Sequence, residues 1–172
     1  MARINEMRMP TWASLGLNYL KEEKIKIENI EEISKACDES AISEVEEAFA
    51  DHKVGISEKI EKENKDFRNR SYAFDVKGER ETEFINFDLK KDDNILVSNI
   101  DIKANEASRS SFLINIFDDG SDKIFLNSRI RAKLDKNSYV KIVVVTNLGE
   151  DATNLNSIGT YLAEDAILDI TY

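Results

Sequence analysis

Apolar residues in the last hundred positions of this chain return every 28 residues. Phe112, Val140 and Leu168 make one series, Ile114, Ile142 and Ile170 run beside it, and Ile116, Val144 and Tyr172 follow the same step. Half a period away stand Phe74, Ile102, Ile130 and Ile158, flanked by the pairs Tyr72–Ile100 and Ala104–Ala132. A fixed period of about 20 to 50 residues marks a stacked architecture, in which each repeat buries its apolar face only against its neighbours.

From residue 67 onward eight short runs alternate apolar and polar residues, as a strand with one buried face does. The connections are short and polar, and no amphipathic helix of 10 or more residues separates the runs, which excludes βαβ units. The 28-residue return sorts the runs into two stacks, one near residues 84, 112, 140 and 168 and one near 72, 100, 128 and 156. Strands in a stack are one full turn of chain apart and run the same way. The expected fold is mainly β: a right-handed parallel β-helix of about three and a half coils of 28 residues, two strands per coil. The handedness follows from the strong preference of parallel crossovers. An antiparallel meander accommodates the same strands but requires no constant return.

Residues 1–66 have a different character and form an irregular, helical N-terminal region ahead of the β-helix of residues 67–172. Residues 21–66 hold 15 acidic and eight basic side chains, and so carry −7 of the chain's −10 net charge. A helix is expected over residues 41–52, where Ile42, Val45 and Phe49 make one apolar stripe and Ser43 with Glu46 fits a capping box, Ser40 being a competing cap. A shorter helix is expected over residues 57–65. Such charge-rich helices pack on something larger, and residues 21–40 read as a linker.

The acidic balance argues against a nucleic-acid partner, which requires basic surface to displace counterions. The one basic cluster, Arg129, Arg131 and Lys133, alternates on the outward side of a strand and reads as a solvated face. No segment is apolar over the length of a membrane span, and the N-terminus has no apolar signal core. The single cysteine, Cys37, points to a reducing compartment, hence the cytoplasm.

Residues that carry chemistry are few. Cys37 and His52 are 15 apart, with none of the paired spacing of a zinc site, and Asp38 beside Cys37 disfavours a reactive thiolate. The pairs Asp92–Asp93, Asp118–Asp119 and Glu150–Asp151 fall at corners, where carboxylates cap backbone N–H groups. Lys141, Arg129 and Arg131 point outward without the stacked acidic ladder a pectin-cleaving β-helix enzyme requires, and no six-residue acyltransferase repeat is present. Asn147, Leu148 and Gly149 read as a turn, not a phosphate cradle. No catalytic, cofactor-binding or metal residue is assigned, no cofactor is expected, and the chain is not expected to be an enzyme.

Residues 9–18 contain Thr11-Trp12, Leu15-Gly16 and Asn18 in the spacing Thr-Trp-x-x-Leu-Gly-x-Asn, with Pro10 before the threonine. This stretch resembles the N-terminal signature of SufD-like members of the SufB/SufD family of iron–sulfur cluster assembly proteins. The runs after Lys136-Asn137-Ser138 and Ala163-Glu164-Asp165-Ala166 are similar to that family's coil corners. The resemblance implies a right-handed parallel β-helix acting as a scaffold subunit through contacts with a SufB-like subunit and the ATPase SufC. It also implies that the coils continue beyond Tyr172 into a helical domain that binds SufC, and that the family's cysteine and histidine lie in those later coils. On this reading the chain is an N-terminal fragment, and its open C-terminal strand edge is expected to drive self-association. A β-helix adaptor unrelated to cluster assembly is the alternative, with a carbohydrate-active enzyme behind it.

Overall fold

The computed structural model describes residues 3–4, 20–21, 33–36, 41–51, 58–90, 93–118, 120 and 123–172. Strands β1 (Arg3–Ile4) and β2 (Leu20–Lys21) form a small antiparallel ribbon. β3 (Ile33–Ala36), α1 (Ala41–Ala48) and α2 (Glu58–Phe67) follow. The remaining strands are β4 (Arg70–Val76), β5 (Glu83–Leu89), β6 (Ile95–Ala104), β7 (Arg109–Asp118), β8 (Phe125–Leu134), β9 (Tyr139–Asn147), β10 (Thr153–Leu162) and β11 (Ile167–Thr171).

These eight strands make a parallel β-solenoid of about three turns. Even-numbered strands stack in one sheet, in the order β10-β8-β6-β4, and odd-numbered strands in the other, in the order β11-β9-β7-β5. Every pairing within a stack is parallel. The inward rows meet across one apolar core that includes Phe74, Ile102, Phe112, Ile114, Ile130, Ile142 and Val144. Phe74 and Phe112 meet across it edge to face, with ring centroids 5.0 Å apart.

The coil length is 28 residues only in part. Tyr72 stacks on Ile100, Ile130 on Ile158, and Val140 on Leu168, as the period predicts. In the middle coil the step is 30: Ile102 lies beside Ala132 rather than Ile130, and Phe112 beside Ile142 rather than Val140. The stretch of chain from Phe117 to Phe125 is two residues longer than the stretch between their partners, Asn147 to Thr153. A slip of two keeps every side chain on its own face, so the inward set survives the register change. An odd step does not. β5 pairs with β7 at a step of 29, Glu83 meets Phe112, and Phe84 turns outward, 65 % exposed.

Three corners on the opposite edge are uniform. Residues 105–108, 135–138 and 163–166 each join two strands, and the third residue of each, Ala107, Asn137 and Asp165, lies in the left-handed region with φ of 57°, 59° and 57°. Each is closed by an N–H donated back three residues: Ser108 to Asn105, Ser138 to Asp135, Ala166 to Ala163. Successive corners also bond to each other, Ala107 N donating to Lys136 O and Asn137 N to Glu164 O.

The N-terminal region departs from its expected organisation. β3, inside the expected linker, adds a parallel strand beside β4. α1 begins at Ala41, which places Ser43 within the helix rather than at its cap; Ser40 lies outside the described residues. It ends at Ala48, four residues early, where Phe49 N and Ala50 N donate to Glu46 O and Glu47 O in the tighter i→i−3 pattern. α2 runs to Phe67, with Glu58 and Glu61 in its first turn and Lys65 in its last, the order the helix dipole favours.

Candidate functional site

Both helices pack on the outward face of the five-stranded sheet. Val45 of α1 and Phe49 just beyond its end meet Ala73 of β4, and Ile60 of α2 meets Val97, Phe125 and Leu155 on three successive coils. Amide side chains fix the fit. Buried Asn64 donates through Nδ2 to the carbonyls of Ser98 and Asn127, each at 2.9 Å, and Asn127 Nδ2 donates back to Ile60 O. Asn69 extends the ladder beyond β4: its Nδ2 donates to Ile95 O and its Oδ1 accepts from Val97 N, as a peptide group would.

Beneath the helices lies a row of buried polar groups. Arg129 and Arg131, expected on a solvated face, are each 8 % exposed, because α1 and α2 cover them. Arg131 donates from Nε and Nη2 to Asp101 at 2.7 and 2.6 Å, a bidentate pair between residues stacked one coil apart. Its Nη1 donates to Phe49 O, and its guanidinium lies 4.8 Å from the Phe49 ring centre. Asn99 Nδ2 donates to Asp101, and Asn99 Oδ1 accepts from Arg129 Nε at 2.7 Å. Lys133 is the most exposed of the three, its Nζ 6.0 Å from the Tyr161 ring centre.

The helices and β8 enclose a cleft of about 630 Å³ lined by Arg129 and Arg131 and by Glu46, Glu61, Lys65 and Arg68 among others. Arg68 and Glu46 stand 3.6 Å apart across it. Burial pushes the Arg129 guanidinium down to about 10, with Arg131 and Arg68 adding to the shift and Asp101 and Glu61 opposing it. A guanidinium that stays protonated through the physiological range binds anions but does not transfer protons.

The corner carboxylates cap and pair. Asp118 accepts from Gly120 N and from Gly149 N, each at 2.6 Å, bridging two coils. Asp93 pairs with Arg70 at 2.9 Å. Asp92 and Asp119 lie outside the described residues, as do Cys37, His52 and residues 9–18. Glu150 and Asp151 are exposed, Lys141 projects from the outer face of β9, and Asn147, Leu148 and Gly149 lead from β9 into its corner.

No protein-family model, curated protein sequence or solved structure matches this chain. Among the described residues, no group of three or more His, Cys, Asp or Glu side chains is arranged to hold a metal, and no helix is long and apolar enough to cross a membrane.

The covering helices left a trace in the sequence. Val97, Phe125 and Leu155 are apolar residues on the outward phase of their strands, spaced by about one coil. An outward apolar column in a solenoid requires a cover, and the charged N-terminal segment is the one available.

Proposed function

We propose that this chain is a non-catalytic scaffold that works through protein–protein contacts, as the N-terminal part of a SufD-like subunit for iron–sulfur cluster assembly. Its partners on this reading are a SufB-like subunit and the ATPase SufC of its own organism, in the cytoplasm. The observation that supports it is the stack of two-stranded parallel coils, the architecture implied by the resemblance of residues 9–18. Self-association is part of the same reading. Tyr161 and Leu162 on β10, Ile167 on β11 and Tyr172 just after it are 46–63 % exposed, beside strand edges that pair with nothing among the described residues. Sedimentation of the chain as a strict monomer at high concentration would remove that element.

The deciding experiment is a pull-down with two lengths of protein. The product of the whole gene retains SufC and the SufB-like subunit, whereas residues 1–172 alone bind SufC more weakly than micromolar, about −8 kcal/mol. Failure of the whole gene product to retain either partner removes the family reading. The adaptor reading draws on the bare outer face of β5, β7, β9 and β11, where Phe84 and Ile167 are exposed. It predicts that residues 1–172 capture a partner unaided, and that substitution of Phe84 abolishes capture.

A further inference from the structure

The cleft under α1 and α2 holds a buried cation whose direct partner is neutral. Arg129 and Arg131 leave β8 on the same face and are equally buried, but they are not equally compensated. One coil below Arg131 stands Asp101, whose carboxylate takes two of its N–H bonds. One coil below Arg129 stands Asn99, an uncharged amide that accepts only from Nε. Among the described residues no carboxylate is in ion-pair contact with Arg129, and its two Nη groups donate to no acceptor. Asp101 and Glu61 favour the charge without touching it, whereas Arg131 and Arg68 oppose it. Arg129 is nine-tenths buried as a residue, yet its two Nη groups still reach the cleft, and a fork with no protein acceptor there is open to an anion.

The rest of the cleft matches an anion. Five cationic and three carboxylate side chains line it, in a chain whose net charge is −10. Of the carboxylates, Glu46 already faces Arg68. A local positive excess within concave walls concentrates anions from solution. We propose that this cleft binds a phosphate-bearing small molecule, with the Arg129 guanidinium as its buried, bidentate donor. The two Nη groups present the planar fork that a phosphate accepts, and with Arg131 neutralised by Asp101 the lining keeps an excess of one positive charge, which favours an anion. The volume of about 630 Å³ falls within the range of small-molecule sites, so the ligand is larger than phosphate itself. Phe49 and Ala50 supply an apolar patch of wall for the remainder.

The test is calorimetric titration of the full chain with inorganic phosphate and pyrophosphate, with acetate as the carboxylate probe. The wild-type chain is expected to bind phosphate at one saturable site and pyrophosphate more tightly. Arg129→Gln is expected to lose at least tenfold in affinity, and Arg129→Lys likewise, because an ammonium has no fork. Lys141→Gln, on the opposite sheet, is expected to bind as wild type. In phosphate-free buffer Arg129→Gln is expected to melt no lower than wild type, since it removes an uncompensated charge. Absence of saturation by about 10 mM, unchanged affinity in Arg129→Gln, or binding of acetate in preference to phosphate would each overturn the proposal. Should Arg129→Gln not fold, the guanidinium ¹⁵N resonance of Arg129 in the wild-type chain decides: it shifts with added phosphate, or the proposal fails.

Discussion

The two sheets of the solenoid share one core, yet their outward faces meet opposite fates. On the five-stranded sheet the outward row holds Asn99, Asp101, Asn127, Arg129 and Arg131, and it is buried beneath helices. On the four-stranded sheet it holds Phe84, Phe117, Val145 and Ile167, and these are 36–65 % exposed. The helices cover the five-stranded sheet by packing on Ala73 and on the apolar column of Val97, Phe125 and Leu155, and the polar groups beside these can be buried because stacking supplies their partners. A side chain on one coil meets the corresponding position of the next, so Asp101 meets Arg131 and Asn99 meets Arg129. The same device operates in the open on the other face, where Asn115 donates to Asn86 at 2.7 Å. A repeat structure can therefore bury charge wherever successive coils carry complementary groups, and the apolar face stays bare where nothing packs on it.

That contrast can be broken most forcefully from the inside. Ile142 is fully buried in the core common to both sheets. Ile142→Asp places an unpaired carboxylate there and is expected to cost about 4 kcal/mol in denaturant titration. On the covered face, Asp101→Ala strands Arg131 without its carboxylate and is expected to cost about 3 kcal/mol. Replacing both Asp101 and Arg131 by leucine is expected to cost far less, and the double-mutant cycle isolates the coupling.

The rim of the covered face gives a pH signature. Burial alone raises the Asp75 carboxyl, but hydrogen bonds from Lys77 and Asn105 and the charge of Lys103 outweigh it and hold it below its ordinary value of 3.8. The folded state then binds fewer protons than the unfolded one. The stabilisation is complete above pH 3.8 and is lost as pH falls through the depressed folded value. Asp75→Asn is expected to remove about 1 kcal/mol of acid-dependent stability, read as a flatter dependence of unfolding free energy on pH below about 4. The smallest effect belongs to the bare face. Phe84→Ser is expected to change stability by no more than about 0.5 kcal/mol while raising solubility; a loss several times larger would mean that this face is covered in solution.

The solenoid was legible in the sequence because its inward face is apolar and its period nearly constant. Phe74, Ile102, Ile130 and Ile158 all face inward as the period requires, although Ile102 and Ile130 are two positions out of register. Periodicity reads faces, and two extra residues in a corner leave a face unchanged. Phe84 shows the limit, since a step of 29 inverts the face without altering the alternation along the strand. The covered cleft was not legible. Arginines alternating on a strand look the same whether water or a helix lies above them, and the polar partners of Arg129 and Arg131 are 30 residues away in sequence. The outward apolar column of Val97, Phe125 and Leu155 was the available sign, masked by the polar residues between its members.

The unequal corners carry a consequence for how such a chain can grow. Beyond the first and longer corner at 77–82, the three four-residue corners of one edge bond to one another from coil to coil and form a spine of fixed pitch. The opposite edge already differs by two residues between the stretch from Phe117 to Phe125 and its paired stretch from Asn147 to Thr153, without loss of pairing on either side. A peptide spliced between Gly120 and Lys123 is therefore tolerated as a graft, while the same peptide spliced into residues 135–138 separates two spine bonds and disrupts the stack. Beyond the first coil, length variation in descendants of this sequence, natural or engineered, accumulates along that opposite edge, which is where a displayed loop or tag belongs.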